Sequence, residues 1–160
     1  MIVVSDTSPL NYLVLIGQVG VLEKLYERVL IPQAVWSELQ SVGAPVQVQE
    51  WMANLPGWVE ISEVPDPDPT LKLDQGEQEA ITLAQRLKAE LVLLDERRGR
   101  ETARLRGLAV IGTLGVLEAA ADQGLLDLPV AIELLQKTSF RVSAVVIEEM
   151  LERYERRKQE

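Results

Sequence analysis

Short apolar runs set the strongest constraint on how this chain can fold. Ile2, Val3 and Val4 form the first, Val29 to Pro32 the second, "ELVLLD" (90–95) the third and "LAVIG" (108–112) the fourth; "WVEI" (58–61) is a further strand or an extended connection. Such runs are too short to be helices, and they lack the polar alternation of a sheet with one wet face, so they read as strands buried on both sides. The segments between them carry apolar residues at helical spacing. Strands alternating with helices imply a parallel sheet covered on both faces. The expected fold is therefore α/β, a three-layer α/β/α sandwich with a short central parallel sheet.

The helices come with start signals. Ser8 is placed to cap "SPLNYLVLIG", with Pro9 in the first turn, where a missing N–H costs least. Pro32 opens "PQAVWSELQ", and a further helix runs from about Val46 to Leu55. The alternating prolines of "EVPDPDPT" forbid a helix and favour an extended surface loop; neither flank alone is long enough for a good core, so this is not a domain boundary. Helices follow in "LDQGEQEAITLAQRLKA", "ERRGRETARLRG", "TLGVLEAAADQG" and "LPVAIELLQKT". The last starts at Ser143, with Val142 and Ile147 placed for a hydrophobic staple, and ends in a charged stretch at about 153–160. Residues 1–160 read as one domain, long enough to bury roughly 70% of its unfolded surface.

The chain has no cysteine and no histidine, which removes disulfides, thiolate metal sites, imidazole bases and histidine-containing triads. Acid-base or metal chemistry must use carboxylates, hydroxyls, amides, Lys or Arg. A signal peptide is not evident and no apolar run approaches the ~20 residues of a membrane span, so a cytoplasmic protein without membrane attachment is expected. The formal net charge of −9 argues against a nonspecific nucleic-acid coat but not against an acidic pocket that holds cations.

Carboxylates recur where such a pocket would form. Ligands of parallel α/β sheets sit beyond the carboxyl ends of the strands, near the point where strand order reverses. Asp6 follows the first strand and Asp95 ends "LVLLD" in the same way. On a helical wheel centred on Ala80, Ala84 lies near ~40°, Ile81 near ~100° and Leu87 near ~340°, which puts Glu77 inside the apolar arc at ~60° and Glu79 at its margin at ~260°. Glu77 thus points inward from the first turn, either toward the pocket or into a capping box with Asp74. Glu38, beside Val35 and Leu39, either leans over the sheet edge or faces water.

The order of Asp6, Glu38, an acid at the start of "GEQEAITLA" and Asp95, together with "SDTSPL", "IPQAVWSEL", "LLDERRGR" and "VIGTLGVL", resembles the PIN-domain nucleases, and most of all the VapC-like toxins of toxin-antitoxin pairs. In many of these the third acid precedes a helix rich in Ala and Ile and lies some eighteen residues before the fourth, the spacing from Glu77 to Asp95. Glu stands here where Asp is often found, Glu79 competes for the role, and "GTLG" is similar to the turn of a divergent PIN subgroup.

Carboxylates crowded together bind protons or cations, and oxygen-only ligands suit Mg²⁺ or Mn²⁺. The resemblance implies a metal-dependent endoribonuclease that leaves a 5′-phosphate and a 3′-hydroxyl, with Asp6, Glu77 and Asp95 as metal ligands, Glu38 as ligand or water-orienting base, and Glu79 as the competing ligand. Thr7, Ser8 and Thr113 either position water or phosphate or serve as caps. Arg97, Arg98, Arg100, Arg104 and Arg106 follow Asp95, and Arg153, Arg156, Arg157 and Lys158 crowd the last helix: nine of the sixteen Lys and Arg. The first cluster, Arg97, Arg98 and Arg100 above all, either contacts RNA phosphates or forms a solvated helix face with Glu96 and Glu101. The apolar faces of "SPLNYLVLIGQVGVLEKLY" either fill the core or meet a partner, a second copy in a homodimer or a cognate antitoxin. A catalytically silent PIN-like interaction or RNA-binding module is the alternative. Phosphotransfer domains fit poorly, since Ser8 stands where a dehalogenase needs a second Asp, and "LAVIGTLG" offers no receiver lysine.

Overall fold

The computed structural model describes residues 1–160. Its strands are β1 (Val3–Ser5), β2 (Val29–Pro32), β3 (Val59–Ser62), β4 (Leu91–Leu93) and β5 (Val110–Ile111). All pairings are parallel and the order is β3-β2-β1-β4-β5. The strand order reverses between β1 and β4, where Val3, Val4 and Ser5 stand opposite Leu91, Val92 and Leu93.

The helices are α1 (Thr7–Leu15), α2 (Val21–Tyr26), α3 (Gln33–Leu39), α4 (Val46–Ala53), α5 (Gln75–Leu87), α6 (Arg97–Leu105), α7 (Thr113–Asp122), α8 (Leu128–Gln136) and α9 (Ala144–Lys158). They cover both faces, because successive strand residues point to opposite sides. Val3 and Leu93 join a core of 23 buried residues with α1, α7 and α8, while Val4, Val92 and Leu94 join one of 11 with α5. The result is a PIN-like three-layer α/β sandwich. No helix is long and apolar enough to cross a membrane.

Several local expectations are refined. Ser8 does not cap α1; the helix begins at Thr7, with Asp6 in the cap position, because the chain passes from strand to helix without an intervening turn. "SPLNYLVLIGQVGVLEKLY" is two helices, broken at Gly17, whose φ of 73° is left-handed. Leu10, Leu13 and Leu22 from this segment are fully buried, so most of its apolar surface is core. "WVEI" contributes an edge strand. Ser143 caps α9 by accepting from the Val146 N–H at 3.3 Å, with Ile147 buried and Val142 packed on the same core.

Arginines fasten the periphery. Arg106 reaches Asp68 at 2.8 Å and Thr70 at 3.1 Å, and Arg86 donates to the carbonyls of Pro65 and Asp66, so the proline-rich loop is clasped to α5 and the end of α6. The hydrogen bonds from Arg106 and Thr70 lower the Asp68 pKa to about 2. At the other end of the molecule, Arg153 grips Glu118 at 2.9 and 3.2 Å, and Arg157 bridges Glu118 and Asp122 at 3.1 and 2.8 Å. These C-terminal guanidiniums therefore latch α9 to α7 rather than form a free basic patch.

Leu117 is fully buried on α7 in the larger core. Leu117→Ala is expected to lower the unfolding free energy by about 2–5 kcal/mol, read as a lower urea midpoint with an unchanged slope.

Candidate active site

The site grows from the reversal point of the sheet. The Asp6 backbone N–H donates to the Leu93 carbonyl at 2.9 Å, which fixes the end of β1 against β4. Asp6 is buried, 6% exposed. Burial raises its pKa to about 7; the Thr7 amide opposes this, while the charges of Asp74, Glu38 and Asp95 add to it. Asp6 is thus about half protonated near neutrality unless a cation neutralises its surroundings.

Glu38, on the exposed side of α3, accepts the Thr7 hydroxyl at 2.8 Å. Gly76 brings Glu38 and Asp6 to a common space. A Cβ added there would stand 3.2 Å from Asp6 Oδ1 and 3.4 Å from Glu38 Oε2, so the missing side chain leaves a cradle that both oxygens face. Two cavities flank Glu38, one of about 370 Å³ that includes Thr7 and Ser8, the other of about 390 Å³ that includes Asp74 and Gly76.

Asp95 is held on the far side of Asp6. Its Oδ1 accepts the Thr113 N–H at 2.6 Å and its Oδ2 accepts the Thr113 hydroxyl at 2.7 Å, so it caps α7 from another element. Burial raises its pKa despite these bonds and the nearby Arg100. Gly112 makes the approach possible, since a Cβ there would lie 2.5 Å from Oδ1.

The N-cap and first two turns of α5 contribute three acids with different tasks. Asp74 caps the helix by accepting from the Glu77 N–H at 2.9 Å, and it stands exposed at the pocket mouth. Glu77 is buried, as the wheel predicts, but its Oε2 has no hydrogen-bond partner and lies against Gly99 and Leu94. Burial, then Asp74 as hydrogen-bond acceptor and like charge, then the charges of Asp6 and Glu96, push its pKa to about 9. Glu77 is a neutral acid at pH 7. Glu79 is buried as well, because α3 lies along that flank; its Oε1 accepts the Ala34 N–H at 3.0 Å and its Oε2 the Gln75 side-chain amide at 3.3 Å. Its carboxylate is committed to holding α3.

Asp6 feels the charges of Asp74, Glu38 and Asp95, and Glu77 that of Asp6, so the four expected acids are neighbours at the strand ends, but no three acids stand close enough together to hold a metal ion as placed. Sequence reasoning treated Asp74 only as a cap; its place two residues before Gly76, at the helix start, was the available signal. Of the predicted phosphate contacts, Arg97 is paired with Glu101 at 3.1 Å, Arg98 is exposed, and Arg100 donates to the Asp95 carbonyl.

Two expected outcomes follow from burial. A Cβ at Gly99 would meet Glu77 Oε2 at 2.4 Å and Leu94 Cδ2 at 2.6 Å. Gly99→Ala should therefore destabilise the protein in urea unfolding, against the gain of roughly 1 kcal/mol that Ala usually brings to a helix. Asp6 and Glu77 are raised in the folded state, which then binds more protons than the unfolded chain. Without added metal, the stability these groups contribute should be fully present below their ordinary values of 3.8 and 4.5 and fall as pH rises toward about 7 for Asp6 and about 9 for Glu77. Asp6→Asn should flatten the part of that fall below about pH 7, as measured by urea midpoints across pH.

The model of the family described as DUF3368, PIN domain, matches residues 2–156. Among solved structures, the chain is similar to a PilT N-terminus domain protein, SSO1118, from the hyperthermophilic archaeon Sulfolobus solfataricus P2. That likeness has 21% identity and a TM-score of 0.57, over 75% of this chain and 93% of the other, and concerns the fold. No curated protein matches. With a family match that spans nearly its whole length, the chain belongs to the PIN-domain family.

Proposed function

We propose that this PIN-domain protein is a Mg²⁺- or Mn²⁺-dependent endoribonuclease, the toxin component of a type II toxin-antitoxin pair. The observation that carries the reading is the cradle above Gly76, faced by Asp6 Oδ1 and Glu38 Oε2 at the reversal point of a parallel sheet. Mg²⁺ keeps several waters and is commonly held by one or two carboxylates together with substrate phosphate, so two convergent acids suffice and a complete protein cage is unnecessary. The donor set fits such an ion: all oxygen, and in its absence ionised Asp6 is disfavoured by burial and, after that, by the neighbouring acids. Asp6 and Glu38 would hold it, with Asp95 and Asp74 adding negative charge on either side; Glu77 would join as a ligand on losing its proton. When bound, the cation supplies charge neutralisation and a water of lowered pKa for phosphodiester hydrolysis.

The chain's own residues do the rest. Thr7 orients Glu38 through its hydroxyl, leaving the other Glu38 oxygen free to accept a proton from a water at the pocket mouth. Thr113 fixes Asp95 through two hydrogen bonds. Water attack at phosphorus with loss of the 3′ oxygen gives a 5′-phosphate and a 3′-hydroxyl. For the toxin role, Val130 and Leu134 on α8 and Val145 and Val146 on α9 offer exposed apolar side chains to a cognate antitoxin or to a second copy in a homodimer. The lack of a preassembled three-acid cluster favours one other reading, a catalytically silent RNA-binding or interaction module.

The test is cleavage of an end-labelled mixed RNA pool in Mg²⁺, Mn²⁺ or EDTA. Wild type should cut only with the metals, Asp6→Asn should remove most of the rate by weakening the hold on the cation, and Glu38→Gln should reduce it by roughly 10²–10⁴-fold. Cutting that survives EDTA or Asp6→Asn would overturn the carboxylate-metal reading. A folded wild type that binds RNA without cutting any of the pool would favour the silent module.

A further inference from the structure

Five of the sixteen Lys and Arg are paired with a carboxylate. Arg28, Arg97, Arg106, Arg153 and Arg157 are each bound to an acid. Arg100 and Arg104 are in none of these pairs. They lie one turn apart on α6 and line the same cavity of about 270 Å³, which also takes in Asp95, Gly112, Leu114 and Phe140. Like charges at this spacing weaken a helix, so the pair works against the stability of α6 rather than for it.

The cavity has two chemically different walls. Arg100 donates to the Asp95 carbonyl, which fixes its guanidinium while leaving other N–H groups free, and Arg104 is exposed. The same cavity is lined by Leu114 and Phe140, the chain's one phenylalanine, whose ring is held edge-to-face on Tyr12 at 5.0 Å. The floor at Gly112 has no side chain, and a Cβ there would collide with Asp95 Oδ1 at 2.5 Å and approach Arg100 Nη1 to 3.2 Å.

We infer that this cavity is a nucleotide subsite for single-stranded RNA, with a backbone phosphate on Arg100 and Arg104 and the base against Phe140 and Leu114. Paired guanidiniums suit phosphate, and an aromatic wall suits an unstacked base. Because Asp95 belongs to both the cavity and the acidic crevice, the bound nucleotide neighbours the cleaved phosphate, and the strand runs from the crevice toward α6 and α7. The inference rests on the reading of the chain as a protein that acts on RNA. Of the expected phosphate contacts it keeps Arg100, adds Arg104, and leaves out Arg97, which Glu101 holds, and Arg98.

The test is fluorescence anisotropy with a labelled eight-nucleotide oligouridine, in Ca²⁺ and separately in EDTA, across a salt series. Wild type, Arg104→Ala, Arg98→Ala and Phe140→Leu are compared, with urea midpoints to verify folding. Arg104→Ala should weaken binding and reduce the slope of log affinity against log salt by about 0.7, the value of one lost phosphate contact on a single strand. Phe140→Leu should weaken binding about fivefold or more with the slope unchanged. Arg98→Ala should match wild type. Equal losses for Arg98→Ala and Arg104→Ala would mean diffuse attraction and overturn the subsite, as would no wild-type binding in either buffer. Arg104-dependent binding without cleavage in Mg²⁺ or Mn²⁺ would refute the nuclease reading and leave the subsite standing.

Discussion

The structure depends on holding carboxyl groups out of water at the carboxyl ends of β1 and β4. Asp6 and Asp95 cannot retreat, because the Asp6 amide is bonded to the Leu93 carbonyl and the Asp95 carboxylate to Thr113. Desolvation disfavours ionisation at all three of Asp6, Glu77 and Asp95, like charge adds to it at Asp6 and Glu77, and their pKa values rise. Such a site stores a demand for positive charge that protons meet at low pH and a cation can meet at neutral pH. The rest of the fold keeps the groups in place while that demand goes unmet.

Glycine is the means by which the acids are brought together. Gly76 leaves the space that Asp6 and Glu38 face, Gly99 leaves the space that Glu77 enters, and Gly112 lets Asp95 reach the start of α7. None of the three needs a left-handed backbone. Their role is to be small where a carboxyl group must pass, so their loss would act on the acids before it acted on the helices.

Much of this was legible in the sequence. The strand runs and their alternation of Val3 with Val4, and of Leu93 with Leu94, carry the two-faced sheet, and strand-end position alone picks out Asp6 and Asp95. The helical wheel placed Glu77 inward. It left Glu79 at the margin because a wheel describes one helix, and only the packing of α3 against α5 buries that side. The duty of the C-terminal arginines was not legible: Arg153 and Arg157 pair with acids some 35 residues away in sequence, and a contact at that separation leaves no local trace. Nor does a single sequence reveal that Arg104 shares a cavity with Phe140.

The division of work within "DQGEQE" explains why two glutamates stand two residues apart on one helix. Helix α3 has only seven residues, and Pro32 at its start provides no side-chain cap. Left alone, so short a helix would fray, and Glu38 near its far end would lose its place beside Asp6. Glu79 supplies the missing acceptor from α5 through the Ala34 N–H, and Gln75 steadies the other oxygen. Glu77, one turn nearer the crevice than Ala80, faces Gly99 and the pocket instead. One acid therefore positions the helix that carries Glu38, while the other lends its carboxyl group to the crevice. Replacing one or the other by glutamine would therefore act on different parts of the site, at Glu79 on the hold over α3 and at Glu77 on the acid beside Gly99, since each position faces a different neighbour.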